Sequence, residues 1–330
     1  IKEGYGPNID ALKVLQDQGV TLVVTVDCGM TAFKELDYAK DISLDIIVVD
    51  HHAPEAKLPS AIAVINPNRI DDNTGLDMLA AVGVSFMLVG ALKSKLVEIK
   101  FIDENNIPSL SFLLDLVALG TICDVVPLVG ANRALVKQGL RVMSKRQNNG
   151  INALFEVSEI DDMPSVFHAG FLLGPRINAG GRVGESSLGS KLLTTDNISE
   201  AKEISFHLNG LNEERKQLEA SVLDQAKNLA LGDESDEILV LSSKNWHPGV
   251  IGIVASRIVE LYGKPAIIIT ENGLSSKGSG RSIAGKDLGR LITAAKQSNI
   301  IINGGGHPMA CGLTMDEACL LYTSDAADDS

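Results

Sequence analysis

The chain has 330 residues, with 29 Lys+Arg against 42 Asp+Glu and a net charge of −13. Hydrophobic residues make up 45% and charged residues 22%, a globular balance that excludes a disordered or fibrous chain and fits about two domains. The acidic total argues against a protein that coats nucleic acid non-specifically and leaves room for a local basic groove.

Along the first 70 residues helix and strand signals alternate. Asn8 is placed to cap a helix carrying Leu12 and Leu15, and Gly19 ends it. Residues 20–26 are a β-branched run without charge, the pattern of a strand buried on both faces. Residues 31–40 read as a helix, 46–49 as the next buried strand, and 61–65 as a third strand stopped by Asn66-Pro67. This rhythm predicts a parallel sheet covered by helices. Ligands of such sheets bind beyond the carboxyl ends of the strands, where Asp27 and Asp50 both fall.

From residue 78 to about 145 the pattern is helical, with 110–119 very apolar. Residues 174–184, rich in Gly and Arg, read as a loop. Residues 197–231 carry Glu, Lys, Gln, Leu and Ala at helical spacing, interrupted only by Gly210. That stretch is too long and polar for a core helix, so a connector of about 191–232 is expected between domains, bent near Gly210. Strand signals return at 238–241 and 266–270 around a helix at 250–261. A helix at 288–295 and an apolar run at 300–302 then lead into a glycine cluster. The expected fold is α/β throughout: a parallel-sheet domain over 1–190, the connector, and a smaller α/β domain over 233–316. Residues 317–330 show no periodicity and read as a terminal segment foreign to this pattern.

Four cysteines, at 28, 123, 311 and 319, form no Cys-x-x-Cys pair, which points to a reducing cytoplasm and away from a zinc site. The longest uncharged apolar stretch, 78–92, falls short of the ~20 residues of a membrane span. No signal peptide is legible.

Three stretches carry chemistry in the first domain. They are Val26-Asp27-Cys28-Gly29, then Asp50-His51-His52, then Gly120-Thr121-Ile122-Cys123-Asp124. Each alone has a plainer reading: an aspartate after a strand is usually a turn or cap residue, and a His-His pair is usually a surface feature. Together on one sheet edge, carboxylates and imidazoles suit Mn²⁺ or Mg²⁺ better than softer metals. A pair of such ions activates water and stabilises the oxygens of an in-line phosphoryl displacement.

These motifs, in this order, resemble the DHH phosphoesterase family. Further stretches narrow the likeness to its RecJ-type exonucleases. They are Leu173-Gly174-Pro175-Arg176-Ile177-Asn178-Ala179-Gly180-Gly181-Arg182, the run from Trp246-His247-Pro248-Gly249 to Arg257, Gly278-Ser279-Gly280-Arg281-Ser282, and Gly304-Gly305-Gly306-His307. The likeness extends from about residue 4 to 313.

The resemblance implies a metal-dependent 5′→3′ exonuclease of single-stranded DNA, acting in repair and recombination. The expected cofactor is Mn²⁺ or Mg²⁺ in a two-metal site. Asp27 would bridge two ions, His51 would ligate one, and Asp124 the same or the neighbouring ion. Asp50 would orient a histidine, and His52 would face the substrate phosphate or support the site. Arg176, Asn178 and Arg182 would line the DNA path, while Arg281 and His307 would reach a phosphate from the second domain. Arginine's planar fork matches phosphate oxygens. Glycines such as Gly305 and Gly306, or those at 278–280, would let backbone N–H groups approach an anion. His247 is a weaker candidate placed to cap a helix, and His168 and His207 read as structural. The implied partners are single-stranded DNA and a single-strand-binding protein or helicase, with the enzyme a monomer in the cytoplasm and no membrane involved.

Two departures accompany the resemblance. The family's first motif, an aspartate cluster ending a strand, would lie before residue 1, so this chain by itself is expected to lack ligands for one ion and to be inactive. Cys28 stands where the family usually has Asn. Two rival readings are a small-substrate phosphodiesterase of the family, acting on nanoRNA or a cyclic dinucleotide, and a non-catalytic nucleic-acid-binding member. The charge is also unevenly spread: five acids beyond residue 315 leave −8 over 1–315, and residues 271–300 carry +3.

Overall fold

The computed structural model describes residues 6–103, 107, 109–231, 237–273 and 275–316. The expected terminal segment 317–330 lies outside the described residues. The chain divides into two compact units, one of residues up to 176 with 190–206, the other of 177–189 with 207 onward.

The first unit opens as the sequence predicts. Helix α1 (Ile9–Asp17) starts at Asn8, whose side chain accepts the N–H of Ala11 at 2.8 Å. Strand β1 (Leu22–Val26), helix α2 (Phe33–Asp41), and strands β2 (Asp45–Val49) and β3 (Ala63–Ile65) follow. The strands form a parallel sheet in the order β1-β2-β3, with Val26 opposite Val49 and Val49 opposite Ile65. A core of Leu12, Leu36, Ala39, Leu44, Ile46 and Val48 holds the helices to the sheet. Each fully buried aliphatic side chain contributes about 1.5–3 kcal/mol.

β1 departs from the expectation of burial on both faces. It is the outer strand of the described sheet, and Leu22, Val24 and Val26 are 47–50% exposed. Only its other face, with Val23 and Thr25, turns to the core. Composition identified the strand; among the described residues no layer covers one of its faces, and that decides the exposure.

The helical stretch comprises α3 (Ala81–Glu98), a 3₁₀ turn (Leu110–Leu113), α4 (Leu114–Cys123), α5 (Gly130–Met143) and α6 (Asn149–Val157). α4 is apolar on nearly all sides and almost wholly buried, as its sequence foretold. A π-helical turn (His168–Leu173) then runs into α7 (Gly174–Val183). The loop expected at 174–184 is thus mostly helix. Next come α8 (Ser187–Thr194) and α9 (Ile198–Ala230), the latter an unbroken helix through Gly210. α9 is not merely a polar connector: Ala201, Ile204, Leu208, Val222 and Ala226 lie buried along it.

The second unit is built on a mixed five-stranded sheet. β4 (Leu239–Ser243), helix α10 (Ile251–Tyr262), β5 (Ala266–Thr270), β6 (Ser276–Arg281), helix α11 (Leu288–Gln297), β7 (Asn303–His307) and β8 (Ala310–Met315) give the order β4-β5-β6-β8-β7. Leu239, Leu241, Ala266 and Ile268 pack with α10 on one face. Ile267, Ile269, Cys311 and Leu313 pack with Leu288 and Ile292 of α11 on the other. The two glycine clusters are strand residues of β6 and β7. Packing requires several of them to be glycine. A Cβ on Gly280 would lie 2.5 Å from Cys311 Sγ, and one on Gly306 2.2 Å from Ala310 O.

Candidate metal centre

β1 and β2 deliver Asp27 and Asp50 to the carboxyl edge of the first sheet, where Asp27 N donates to Val49 O at 2.9 Å. Asp27 adopts a left-handed φ of 63°, a conformation that aspartate tolerates better than most residues. Gly29 follows at φ 110°, and a Cβ there would lie 2.8 Å from Thr25 Oγ1. No other residue type fits that turn without displacement.

Asp50 is 1% exposed and anchors the site. Its Oδ1 accepts from His51 N at 2.8 Å, His52 N at 3.2 Å and His52 Nδ1 at 2.7 Å, and its Oδ2 accepts from Met30 N at 3.1 Å. Burial pushes its carboxyl pKa up. The bonds from the His52 ring and from the His52, His51 and Met30 amides outweigh that and hold it below the usual carboxylate range.

His51 is oriented from its other side. Its Nδ1 lies 3.1 Å from Leu79 O, an acceptor, so Nδ1 carries the proton in the neutral ring. Nε2 then presents a lone pair, 3.3 Å from Asp27 Oδ1 and 3.5 Å from Asp124 Oδ2. It makes no well-formed hydrogen bond although it is buried. Three acceptor atoms facing one another repel unless a cation lies among them. The same field raises the His51 pKa, through Asp27 first, against burial, and with help from Asp124. Asp124 is pushed up by burial and by Asp27, while His51 opposes. Donor atoms of Asp27, His51 and His52 also lie within 4.8 Å of one another. A set of carboxylates and imidazoles, one imidazole fixed by a carbonyl and the other by a carboxylate, fits Mn²⁺ or Mg²⁺.

Asp124 caps the carboxyl end of α4, and Val125 after it adopts φ 60°. A β-branched residue in the left-handed region is strained, and such strain gathers at functional sites. Sequence reading missed two supports. Asn66, 4% exposed, donates from Nδ2 to His52 O at 2.8 Å, and Asn68 Nδ2 donates to His51 O at 2.6 Å. The Asn-Pro-Asn stretch had signalled only a strand end.

The remaining predicted residues fall as follows. Arg176, half-buried on α7, donates to Leu172 O at 2.8 Å, and Asn178 is exposed. In the second unit, Arg182 Nη1 donates to Gly249 O at 3.1 Å. Burial, then the nearby Arg215 and Arg281, pull the Arg182 pKa down, with Glu219 opposing. Arg215 was not anticipated. Asn212 accepts from its Nε and Nη2, and Glu219 from its Nη1 at 2.7 Å. Its signal was an arginine inside the polar helix, one turn after an asparagine. Arg281 and His307 both pair with Ala310, so they stand on one face of the sheet with a small residue between them. On the neighbouring row Ser279, Gly312 and Gly305 share that face, and a Cβ on Gly305 would meet no atom within 4 Å. Gly306 points its Cβ position the opposite way, into Cys311. His247 Nδ1 accepts Gly249 N at 3.1 Å in the turn before α10, and the helix itself carries no side-chain cap, so the capping foreseen for His247 is not made.

Similarity to known proteins bears on both units. The N-terminal domain of the DHH family matches residues 2–121, and the DHHA1 domain matches 235–328. The single-stranded-DNA-specific exonuclease RecJ of Escherichia coli (strain K12) is 41% identical over 96% of this chain and 57% of its own length. That of Bacillus subtilis (strain 168) is 36% identical over 95% of this chain and 38% of its own. The chain therefore spans about half the length of the curated relatives it matches. Among solved structures, exonuclease RecJ bound to manganese superposes with a TM-score of 0.81 at 34% identity, over 98% of this chain and 78% of that one. RecJ of Thermus thermophilus in complex with Mn²⁺ gives 0.83 at 33% identity, over 96% and 46%.

Proposed function

The chain belongs to the RecJ family of DHH phosphoesterases, and from that premise we propose that its protein is a Mn²⁺- or Mg²⁺-dependent exonuclease of single-stranded DNA. The reading includes 5′→3′ digestion, a role in DNA repair and recombination, and a cytoplasmic place of action. The observation that carries it is the His51 Nε2 lone pair facing the carboxylates of Asp27 and Asp124 beyond the strand ends.

Asp27, His51 and Asp124 would hold the metal. When bound, Mn²⁺ or Mg²⁺ supplies Lewis acidity for an in-line displacement at phosphorus. Asp50 keeps the His52 ring in one tautomer and aims it at the site, where His52 faces the substrate phosphate. In the second unit Arg182 lies near the guanidinium groups of Arg215 and Arg281, and the Glu219 carboxylate faces Arg182 and Arg215. Their excess positive charge suits a phosphate. His307 on the Arg281 face adds a further donor, and the open backbone at Gly305 admits a sugar-phosphate closely. Arg176 and Asn178 of α7 line the strand's path. A single-strand-binding protein or helicase supplies the strand, and the enzyme works as a monomer.

The test uses the whole protein that carries this chain, on a long single strand labelled at either end, its duplex, and a dinucleotide. Mononucleotide release from the 5′ end of the single strand, dependent on Mn²⁺ or Mg²⁺ and lost in Asp27→Ala, is expected. Cleavage of the dinucleotide with none of the long strand overturns the proposal.

A further inference from the structure

A second cavity, of about 320 Å³, shares no lining residue with the metal centre. It is bounded by the turn leading into α4, the start of α6, and the stretch after α8. At its wall sits Asp115, 3% exposed. The hydrogen bonds to its side chain are local, from Leu116 N to Oδ1 at 2.7 Å and from its own backbone amide. No Lys, Arg or His lines the cavity, and among the described residues none pairs with Asp115. Asp196, exposed, adds a second carboxylate to the lining.

A buried carboxylate without a charged partner is costly, several kcal/mol in effective terms. A cation beside it would offset that cost. The lining argues against an inorganic divalent ion, which takes six or more oxygens. Three polar side chains of the wall already donate to backbone carbonyls: Thr194 Oγ1 to Ser190 O at 2.7 Å, Asn148 Nδ2 to Leu193 O at 3.1 Å, and Asn149 Nδ2 to Asp196 O at 2.9 Å. Much of the rest is apolar, with Phe112, Leu116 and Leu193. A charged end and an apolar wall match an alkyl stem bearing a cationic head. The volume is at the lower end of small-ligand pockets.

We infer that this cavity binds an organic cation, an alkylammonium or alkylguanidinium group. The head pairs with Asp115, and the stem lies along Phe112, Leu116 and Leu193. A free polyamine and a Lys or Arg side chain of another protein offer the same chemistry.

The whole protein is titrated calorimetrically with cadaverine and agmatine, with 1-pentanol as the uncharged control. The two cations bind and pentanol does not. Asp115→Asn weakens the cations at least about tenfold, as expected for loss of a buried charge partner. Asp196→Asn, an exposed change that leaves folding intact, weakens them about two- to threefold. Spermidine binding more tightly than an N-acetyl-lysine peptide identifies a free polyamine as the source; the reverse order identifies a protein side chain. Equal binding of pentanol and cadaverine, unchanged affinity in a folded Asp115→Asn, or no cation binding at about 10 mM overturns the inference. If Asp115→Asn does not fold, unchanged affinity in Asp196→Asn overturns it instead.

Discussion

The carboxylate of Asp50 and the ring of His52 are joined by a 2.7 Å hydrogen bond from Nδ1. The same carboxylate receives three backbone N–H groups, so one buried side chain fixes both the loop and the histidine tautomer. Asp50→Ala removes all four bonds, and Mn²⁺ affinity should fall about 10–100-fold, the range for partners that orient metal ligands. Asp50→Asn keeps the shape but not the charge and should fall between. Calorimetric Mn²⁺ titration of the folded variants decides it, and wild-type affinity in Asp50→Ala would remove Asp50 from the orienting role. The pKa direction adds a signature. Because the folded carboxyl is held low, its contribution to stability is present above the ordinary carboxylate pKa and is lost as pH falls through the folded value.

Much of this arrangement was legible because strand ends announce themselves. The uncharged β-branched runs before Asp27 and Asp50 located both carboxylates on one edge, and the apolar helix before Asp124 located the third. The glycine-rich stretch at 174–184 was misread as a loop because propensity treats glycine as a breaker, whereas tertiary packing uses its missing side chain. In α7 a Cβ on Gly180 would lie 2.8 Å from Glu185 O, so the helix tolerates glycine in exchange for close approach. The β6 and β7 glycines serve the same end against Cys311 and Leu313. The exposure of β1 was invisible because it depends on which layers cover a strand, not on the strand itself. Asn66 and Asn68 escaped notice because their targets are carbonyls more than a dozen residues away.

Asn68→Ala tests whether those carbonyl bonds matter. The change removes the 2.6 Å bond to His51 O and a longer one, at 3.3 Å, to Asp77 O. Stability should drop by about 1–2 kcal/mol, measured by urea unfolding, since each net bond is worth about 0.5–1.5 kcal/mol. Mn²⁺ affinity should fall several-fold while the DNA affinity of the metal-free protein stays level. A stability loss with unchanged metal affinity would make Asn68 a fold residue only.

Val125 offers a gain instead. It follows the helix-capping Asp124 at φ 60°, the position at which helices commonly end in glycine or asparagine. A left-handed L-residue costs roughly 1–2 kcal/mol. Val125 is 86% exposed, so little packing is lost on substitution. Val125→Asn should raise stability by about 0.5–1 kcal/mol, read as a higher urea midpoint with an unchanged slope. A lower midpoint would mean that the valine is held by contacts worth more than the strain.

Asp115 predicts a pH dependence of opposite sign to that of Asp50. Burial raises its folded pKa, and its hydrogen bonds to the amides of Leu116 and Asp115 only partly compensate. The folded state therefore holds this proton more tightly than the unfolded chain. The associated stability is complete below the ordinary carboxylate pKa and is lost as pH rises through the folded value. Asp115→Asn abolishes the titration and removes the unpaired charge. Without a bound cation the variant should match the wild type in acid and exceed it at neutral pH, in urea unfolding followed across pH. Saturating agmatine should narrow that neutral-pH gap by stabilising only the wild type, because a ligand that binds the native state adds stability in proportion to its occupancy. A gap that is constant at every pH would show that the substitution acts through packing and not through charge.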